Sequence, residues 1–196
     1  MEFNIHLIRH AKTKAMEKDL YCGRTDLSIT ERGKKEIVEL MKTNLYPKGD
    51  IFFITEMVRT LETLHLIYGD VDYKVLQNFN EQDLGSLDMK SFESIKNIPT
   101  CKKWLLDVTG DVKCPGGGES ANAFEMRVKL GLYTLLGQTK DAGQQNAVVI
   151  THGSVIAVIM NSLYPGRKTL KQWQPDAGRG YMLKYFGQWF SGYEGI

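Results

Sequence analysis

The feature that most constrains the fold is an alternation of short apolar runs with longer amphipathic stretches. Apolar runs of strand length occupy residues 4–8, 51–54, 73–76, 147–150 and 181–186. Between them, apolar side chains recur at helical spacing over residues 30–45, 57–68, 120–135 and 155–163. Thr30 and Ser120 are the predicted starts of the first and third helices, and Gly69 is the predicted end of the second. This alternation is typical of a mostly parallel sheet with helices on both faces. We therefore predict an α/β fold, a three-layer α/β/α sandwich.

The length and hydrophobicity of the chain fit one folding unit. A chain of 196 residues with 42% hydrophobic side chains can bury one sizeable core, so we predict a single domain over residues 1–196. The segment 85–118 differs from the rest, since it contains Pro99, Pro115 and three consecutive glycines. We interpret it as a small cap inserted over the site.

Composition narrows the class of protein. The 25 basic and 23 acidic side chains give a net charge of +2, which provides no basic surface for nucleic acid. No apolar run reaches the length of about 18 residues that indicates a membrane span, and the first residues lack the pattern of a secretory signal. Cys22, Cys101 and Cys114 are too widely spaced to indicate a disulfide framework or a zinc site. We expect a reduced, cytoplasmic protein without nucleic-acid or membrane partners.

Reactive side chains follow four of the predicted strands. Arg9 and His10 end the first strand, Arg59 lies in the first turn after the second, Glu81 follows the third, and His152 follows the fourth. The carboxyl ends of parallel strands meet at one edge of a sheet, where ligands bind. We therefore expect these side chains to form one site.

This set of residues suits phosphoryl transfer, whose transition state spreads negative charge over three oxygens. The planar guanidinium groups of Arg9 and Arg59 can each hold two of them, and His152 can complete the clamp. His10, as neutral imidazole, can attack phosphorus and form a phosphohistidine. The substrate would be a small phosphate ester.

The leaving oxygen needs a proton, and water must later lose one, so the site requires a carboxylic acid. Glu81 is our candidate, with Asp83 and Glu119 as alternatives. Cys22, beside Gly23, is a candidate for backbone N–H donation to the phosphate, although a plain turn there is nearly as plausible.

Several segments resemble one known family. Residues 7–13, Leu-Ile-Arg-His-Ala-Lys-Thr, are similar to its Arg-His-Gly-Glu-Thr signature. Further similar elements occupy residues 20–23, 27–33, 55–63, 81–85, 117–120 and 151–153. The family is the histidine phosphatase superfamily, which includes the cofactor-dependent phosphoglycerate mutases.

The resemblance implies a phosphoglycerate mutase-like fold without a metal or other cofactor. It implies phosphorylation of His10, phosphoryl binding by Arg9, Arg59 and His152, and proton donation by Glu81. The last of its elements also contains Gly153, which joins Cys22 and Gly23 as a predicted substrate-binding residue.

The sequence departs from the family pattern at three positions, Ala11, Lys12 and Met16. Met16 replaces a polar donor at the rim of the pocket, and we expect Lys12 to place a compensating cation nearby. The loop lengths are closer to those of alpha-ribazole phosphatase-like enzymes than to those of mutases. We therefore predict a metal-independent phosphatase. A mutase and a catalytically impaired protein that only binds phosphate ligands are the alternatives.

Overall fold

The computed structural model describes residues 2–196, and their strands form one mixed sheet. The strands are β1 Glu2–Arg9, β2 Ile51–Ile54, β3 Tyr73–Val75, β4 Asn146–Thr151, β5 Gly180–Phe186 and β6 Trp189–Gly195. Their order across the sheet is β3-β2-β4-β1-β5-β6. The first four in this order run parallel, whereas β5 and β6 are antiparallel to their neighbours. The predicted fold class, with its mostly parallel sheet, is confirmed.

Helices cover both faces of this sheet. They are α1 Lys14–Glu17, α2 Glu31–Met41, α3 Val58–Tyr68, α4 Phe92–Ile95, α5 Pro99–Leu105, α6 Ala121–Asp141, α7 Gly153–Leu163 and α8 Leu170–Trp173. Leu64 of α3 packs on one face, in a cluster with Ile54 and Ile150. Val128 of α6 and Ile156 of α7 belong to the larger core on the other face. None of the helices within residues 2–196 combines the length and hydrophobicity needed to cross a membrane.

The predicted helix starts at Thr30 and Ser120 are confirmed by their caps. The Thr30 hydroxyl accepts the Gly33 N–H at 3.0 Å, and the Ser120 hydroxyl accepts the Ala123 N–H at 3.2 Å, so each satisfies a donor that the helix leaves free. The predicted helix end at Gly69 is confirmed. Its φ of 75° lies in the region that favours glycine, whereas its ψ of −156° differs from that of a left-handed helical cap.

Strand β6 has no clear signal in the sequence. Its residues are aromatic and interrupted by Gly192, which hides the alternation of a strand. In the fold, β6 pairs with β5, and the Tyr193 ring lies 4.7 Å from Tyr164 and 5.4 Å from Trp173 between centroids. Pairing with β5 and contacts with an aromatic cluster therefore stabilise this strand.

The predicted cap segment contains two short helices, α4 and α5, and a 3-10 turn at Gly85–Leu87. It has a small core of its own, formed by Leu84, Leu87, Ile95, Cys101 and Cys114, with Tyr21 and Trp104 packed against it. Gly116 and Gly117 have φ of 78° and 92°, and this positive-φ turn returns the chain to α6.

Candidate active site

A cavity of about 270 Å³ lies at the carboxyl ends of the parallel strands, beneath the cap. Its lining residues are Arg9, His10, Thr13, Met16, Leu20, Tyr21, Cys22, Arg59, Glu81, Gln82, Leu84, Trp104, Ser154 and Gln174. We call Arg9, His10, Thr13, Arg59 and the adjoining His152 the polar floor. We call Met16, Leu20, Tyr21, Leu84 and Trp104 the apolar wall.

His10 follows the last residue of β1, near the centre of the sheet. Its backbone N–H donates to the Thr151 carbonyl at 2.9 Å. Its Nδ1 lies 2.7 Å from the Ala11 carbonyl oxygen. Because a carbonyl only accepts hydrogen bonds, Nδ1 carries the proton and Nε2 keeps its lone pair. The main chain thus fixes the tautomer that a nucleophile needs.

The charge state of His10 also favours attack. Burial removes the imidazole from water and, with the nearby cations Arg59 and Arg9, holds its pKa well below the ordinary value of 6.5. Both effects disfavour the imidazolium. His10 is therefore neutral at neutral pH.

Main-chain carbonyls hold the two arginines of the floor. Arg9 donates from Nη1 to the Pro175 carbonyl at 2.8 Å. Arg59 donates from Nη1 to the Thr25 carbonyl and from Nη2 to the Gly23 carbonyl, both at 3.0 Å. Neutral acceptors position the guanidinium groups without cancelling their charges, so the floor stays electropositive.

Four buried polar atoms of the floor lack a hydrogen-bond partner within the described residues. They are Arg9 Nε, Thr13 Oγ1, Arg59 Nε and His152 Nδ1. A buried donor without a partner costs about 1–3 kcal/mol, and such groups are rare in native proteins. Their concentration around His10 fits a site that binds an oxyanion. Thr13 was not identified as a site residue from the sequence, although it lies in the segment 7–13.

His152 is oriented from behind by threonines. Its ring meets His10 edge-on, with centroids 5.2 Å apart, and its Nε2 lies 3.1 Å from the Thr55 hydroxyl. The Thr60 hydroxyl can donate to the Met57 carbonyl at 2.8 Å, which leaves the Thr55 proton for His152 Nε2. Nδ1 then carries the ring proton and is a donor. Burial and the neighbouring His10 keep the pKa of His152 well below 6.5, so it is neutral.

Glu81 is the carboxyl group of the cavity. Burial raises its pKa above the ordinary 4.5, although the Gln82 N–H, the nearby arginines and the Ser154 hydroxyl act in the opposite direction. The Gln82 N–H donates to Oε1 at 2.8 Å. A raised pKa keeps the carboxyl protonated over a wider pH range, as a general acid requires.

The two alternative acids are engaged elsewhere. Glu119 pairs with Arg127 through two hydrogen bonds of 2.8 Å and also accepts the Asp83 N–H at 2.9 Å. Asp83 accepts the Gly85 N–H at 2.9 Å. Neither is among the described residues that line the cavity, and both fasten the base of the cap.

The three other predicted binding residues differ in position; they are Cys22, Gly23 and Gly153. Cys22 lines the cavity. The Gly23 N–H donates to Asp88 at 2.8 Å, and the Gly23 carbonyl accepts from Arg59 at 3.0 Å, so Gly23 contributes to the site by holding Arg59. At Gly153, an added Cβ would lie 2.9 Å from the Arg9 guanidinium. Gly153 therefore makes room for Arg9, and it does not line the cavity.

The expected compensating cation is absent from the lining residues. Lys12 Nζ forms an ion pair with Glu36 at 2.9 Å, because its backbone packs against α2, where Gly33 approaches it closely. Met16 does line the cavity, as predicted. Across residues 2–196, no group of three His, Cys, Asp or Glu side chains is arranged to hold a metal ion.

Comparison with known proteins assigns the family. The model of the histidine phosphatase superfamily, branch 1, matches residues 5–186. The chain belongs to this superfamily. Superfamily membership makes it a phosphoryl-transfer enzyme, in agreement with the resemblance seen in the motifs.

Individual relatives of this protein differ in their named activities. A Hydrogenobacter thermophilus protein provisionally named phosphoserine phosphatase 2 is 26% identical over 161 residues, which is 80% of this chain and 76% of that protein. The alpha-ribazole phosphatase of Shigella flexneri superposes with a TM-score of 0.82 at 21% identity, over 96% of this chain and 93% of that one. A phosphoglycerate mutase of Bacillus anthracis superposes with a TM-score of 0.80 at 14% identity, over 100% of this chain and 92% of that one. At these identities the two structures establish the fold alone.

Proposed function

We propose that this protein hydrolyses small phosphate monoesters through a phosphohistidine on His10. The observation that carries the proposal is the set of four unpaired polar atoms beside a neutral histidine. Three of them are nitrogens of Arg9, Arg59 and His152, the groups that a phosphoryl oxyanion would need as donors. They supply one phosphoryl-sized site.

The rest of the cavity favours hydrolysis over isomerisation. Arg9 and Arg59 are the cations among its described lining residues, and both belong to the polar floor. The apolar wall offers Tyr21, Leu84 and Trp104 to the rest of the substrate. A phosphoglycerate mutase must hold further anionic groups of its substrate, for which this wall has no counter-charge. A neutral leaving group fits it better.

In the first half-reaction, the lone pair of His10 Nε2 forms a bond to phosphorus while the bond from phosphorus to the ester oxygen breaks. Glu81 gives its proton to that oxygen, and the free alcohol leaves. Arg9, Arg59 and His152 donate hydrogen bonds to the phosphoryl oxygens. The Ala11 carbonyl stabilises the positive charge that develops on the imidazole through Nδ1–H.

In the second half-reaction, the Glu81 carboxylate takes a proton from water as the water oxygen attacks phosphorus. The bond between phosphorus and His10 Nε2 breaks, and its electron pair returns to the ring. Inorganic phosphate leaves, and both Glu81 and His10 regain their starting protonation states. One carboxyl group thus serves both steps.

The direct test is phosphate release from p-nitrophenyl phosphate in the presence of a chelator. His10→Ala should abolish release, and the wild type quenched during turnover should contain phosphohistidine by mass spectrometry. His65→Ala is the matched control, because His65 is exposed on α3, away from the cavity. Undiminished release in His10→Ala would refute the mechanism.

The alternatives give different results. A mutase would interconvert monophosphoglycerates at a rate well above its release of phosphate, and would need a bisphosphate primer. A protein that only binds phosphate ligands would show phosphate binding by calorimetry but no phosphohistidine with any ester. Ala11 and Met16, the departures in the signature, are the residues that motivate this last case.

A further inference from the structure

A second cavity, of about 190 Å³, adjoins the candidate active site. It lies between the first turn of α6 and the exposed side of α7. Gln82, Ser154 and Gln174 line both cavities. The second cavity therefore adjoins the first along a shared boundary of three polar side chains.

The boundary lies where a leaving group begins. In the proposed mechanism the ester oxygen receives its proton from Glu81, and the Ser154 hydroxyl lies near enough to that carboxyl group to lower its pKa. Gln82 follows Glu81 in the chain and donates its N–H to the same carboxyl at 2.8 Å. Atoms attached to the ester oxygen thus start beside two of the three boundary residues.

The lining of the second cavity defines the chemistry it accepts. Phe124, Ala157 and Val158 provide apolar surface. Asn161 adds an amide, which makes no side-chain hydrogen bond within the described part of the chain. The charged group in the lining is Glu125, paired with Lys129 at 2.5 Å. A second phosphate or a carboxylate would find no cation among these lining residues to pair with.

We propose that the second cavity binds the distal part of the leaving group, and that this part is uncharged and apolar. The inference rests on the proposed function and extends it to a substrate class. The substrate is then a monoester of an elongated, neutral alcohol, with its phosphate on the polar floor and its far end between α6 and α7.

Binding of phosphonates tests this without turnover. Phenylphosphonate is short, biphenyl-4-phosphonate is long, and a 4′-carboxy derivative of the long compound carries a terminal charge. Calorimetry on the wild type should give about tenfold tighter binding for the long compound than for the short one, since a second ring buries apolar surface. The terminal carboxylate should remove most of that gain.

Ala121→Phe should fill the second cavity selectively. Ala121 is exposed at the start of α6 and lines the second cavity but not the first, so the larger side chain does not disturb the core. Binding of biphenyl-4-phosphonate should weaken about tenfold, to the affinity of phenylphosphonate, which should not change. Ala123→Phe is the matched control, because Ala123 is exposed in the same turn and lines neither cavity.

Equal affinities of the short and long phosphonates for the wild type would overturn the proposal. So would an unchanged preference for the long compound in Ala121→Phe, which would assign the second ring to the apolar wall. Hydrolysis of phenyl and biphenyl phosphates is measured in parallel. If no ester turns over but Ala121→Phe still removes the gain in affinity, the subsite stands and the proposed hydrolysis fails.

Discussion

The polar floor and the apolar wall enclose the same cavity but are built differently. Arg59 and His152 of the floor are 1% and 0% exposed and are hydrogen-bonded to fixed groups. In the wall, Tyr21 and Trp104 are only half-buried and meet edge-on, with centroids 6.4 Å apart. Oriented donors act on the transition state, whereas apolar surface acts on substrate and transition state alike. We expect the floor to determine rate and the wall to determine selection.

The largest expected effect is that of Arg59→Ala. Loss of this guanidinium should lower kcat/KM for p-nitrophenyl phosphate about 10³-fold or more, since an arginine that stabilises a phosphoryl transition state is worth about that much. Arg59→Lys should lose less, because it keeps the charge without the planar fork. Steady-state kinetics measures both.

Arg59 also bonds to two main-chain carbonyls, so thermal melts must show that the variants fold. A folded Arg59→Ala variant with less than a tenfold loss would break the assignment of rate to the floor.

Glu81→Gln should show the next largest effect on kcat/KM, and should lower this ratio only with poor leaving groups. For an alkyl phosphate, loss of the general acid should lower kcat/KM about 10²–10⁴-fold. For p-nitrophenyl phosphate the first step needs little acid, whereas the second still needs the base. A burst of p-nitrophenol with accumulated phosphohistidine is the expected stopped-flow and mass-spectrometric result.

The pH profile of the wild type provides a further check on Glu81. For an alkyl phosphate, kcat/KM should fall as the pH rises through the raised pKa of Glu81, because the acid loses its proton. The ratio kcat/KM should also fall at low pH, as His10 becomes protonated at a pH below its ordinary pKa of 6.5. In Glu81→Gln the alkaline limb should disappear while the acid limb remains. Persistence of the alkaline limb would assign it to another group.

Thr55→Val should lower kcat about tenfold by releasing His152. Without the hydroxyl, Nε2 loses its partner at 3.1 Å, at a cost of about 1–3 kcal/mol, and the ring tautomer is no longer fixed. Thr55→Ser should restore activity because it keeps the hydroxyl. If valine and serine behave alike, Thr55 does not position His152.

Trp104→Ala should have the smallest effect. It tests the difference in role between the polar floor and the apolar wall. For an aryl ester, KM should rise several-fold while kcat stays nearly unchanged. The rise corresponds to about 1 kcal/mol of lost apolar contact. The inhibition constant of inorganic phosphate should not change, because phosphate binds to the polar floor alone. A fall in kcat equal to the rise in KM would show that the wall stabilises the transition state more than the bound substrate.

The sequence was most informative where local signals and buried strands coincide. The apolar runs at residues 4–8 and 147–150 predicted two strands, which the structure places side by side within the sheet, and Thr30 and Ser120 predicted two helix starts. Arg9, His10, Arg59 and Glu81 were predicted to share one edge, and the structure brings them to one cavity. His152 lies directly behind. Their catalytic roles are still predictions.

Other features depend on partners distant in the chain. Thr13 and Thr55 are unremarkable in the sequence, since their roles come from an unpaired hydroxyl and from a contact with His152. Lys12 was expected near the phosphate, but it forms an ion pair with Glu36 of α2. Strand β6 depends on β5.

The order of the motifs by itself determined the family, the fold class and the candidate nucleophile, because parallel strands bring their carboxyl ends to one edge wherever the loops go. Tertiary structure alone decided which donors remain unpaired, which tautomers the histidines hold, and that Glu81 rather than Asp83 or Glu119 faces the cavity. It also decided that a second cavity adjoins the first. These properties depend on distances of a few ångströms between residues far apart in the chain, which sequence spacing does not encode.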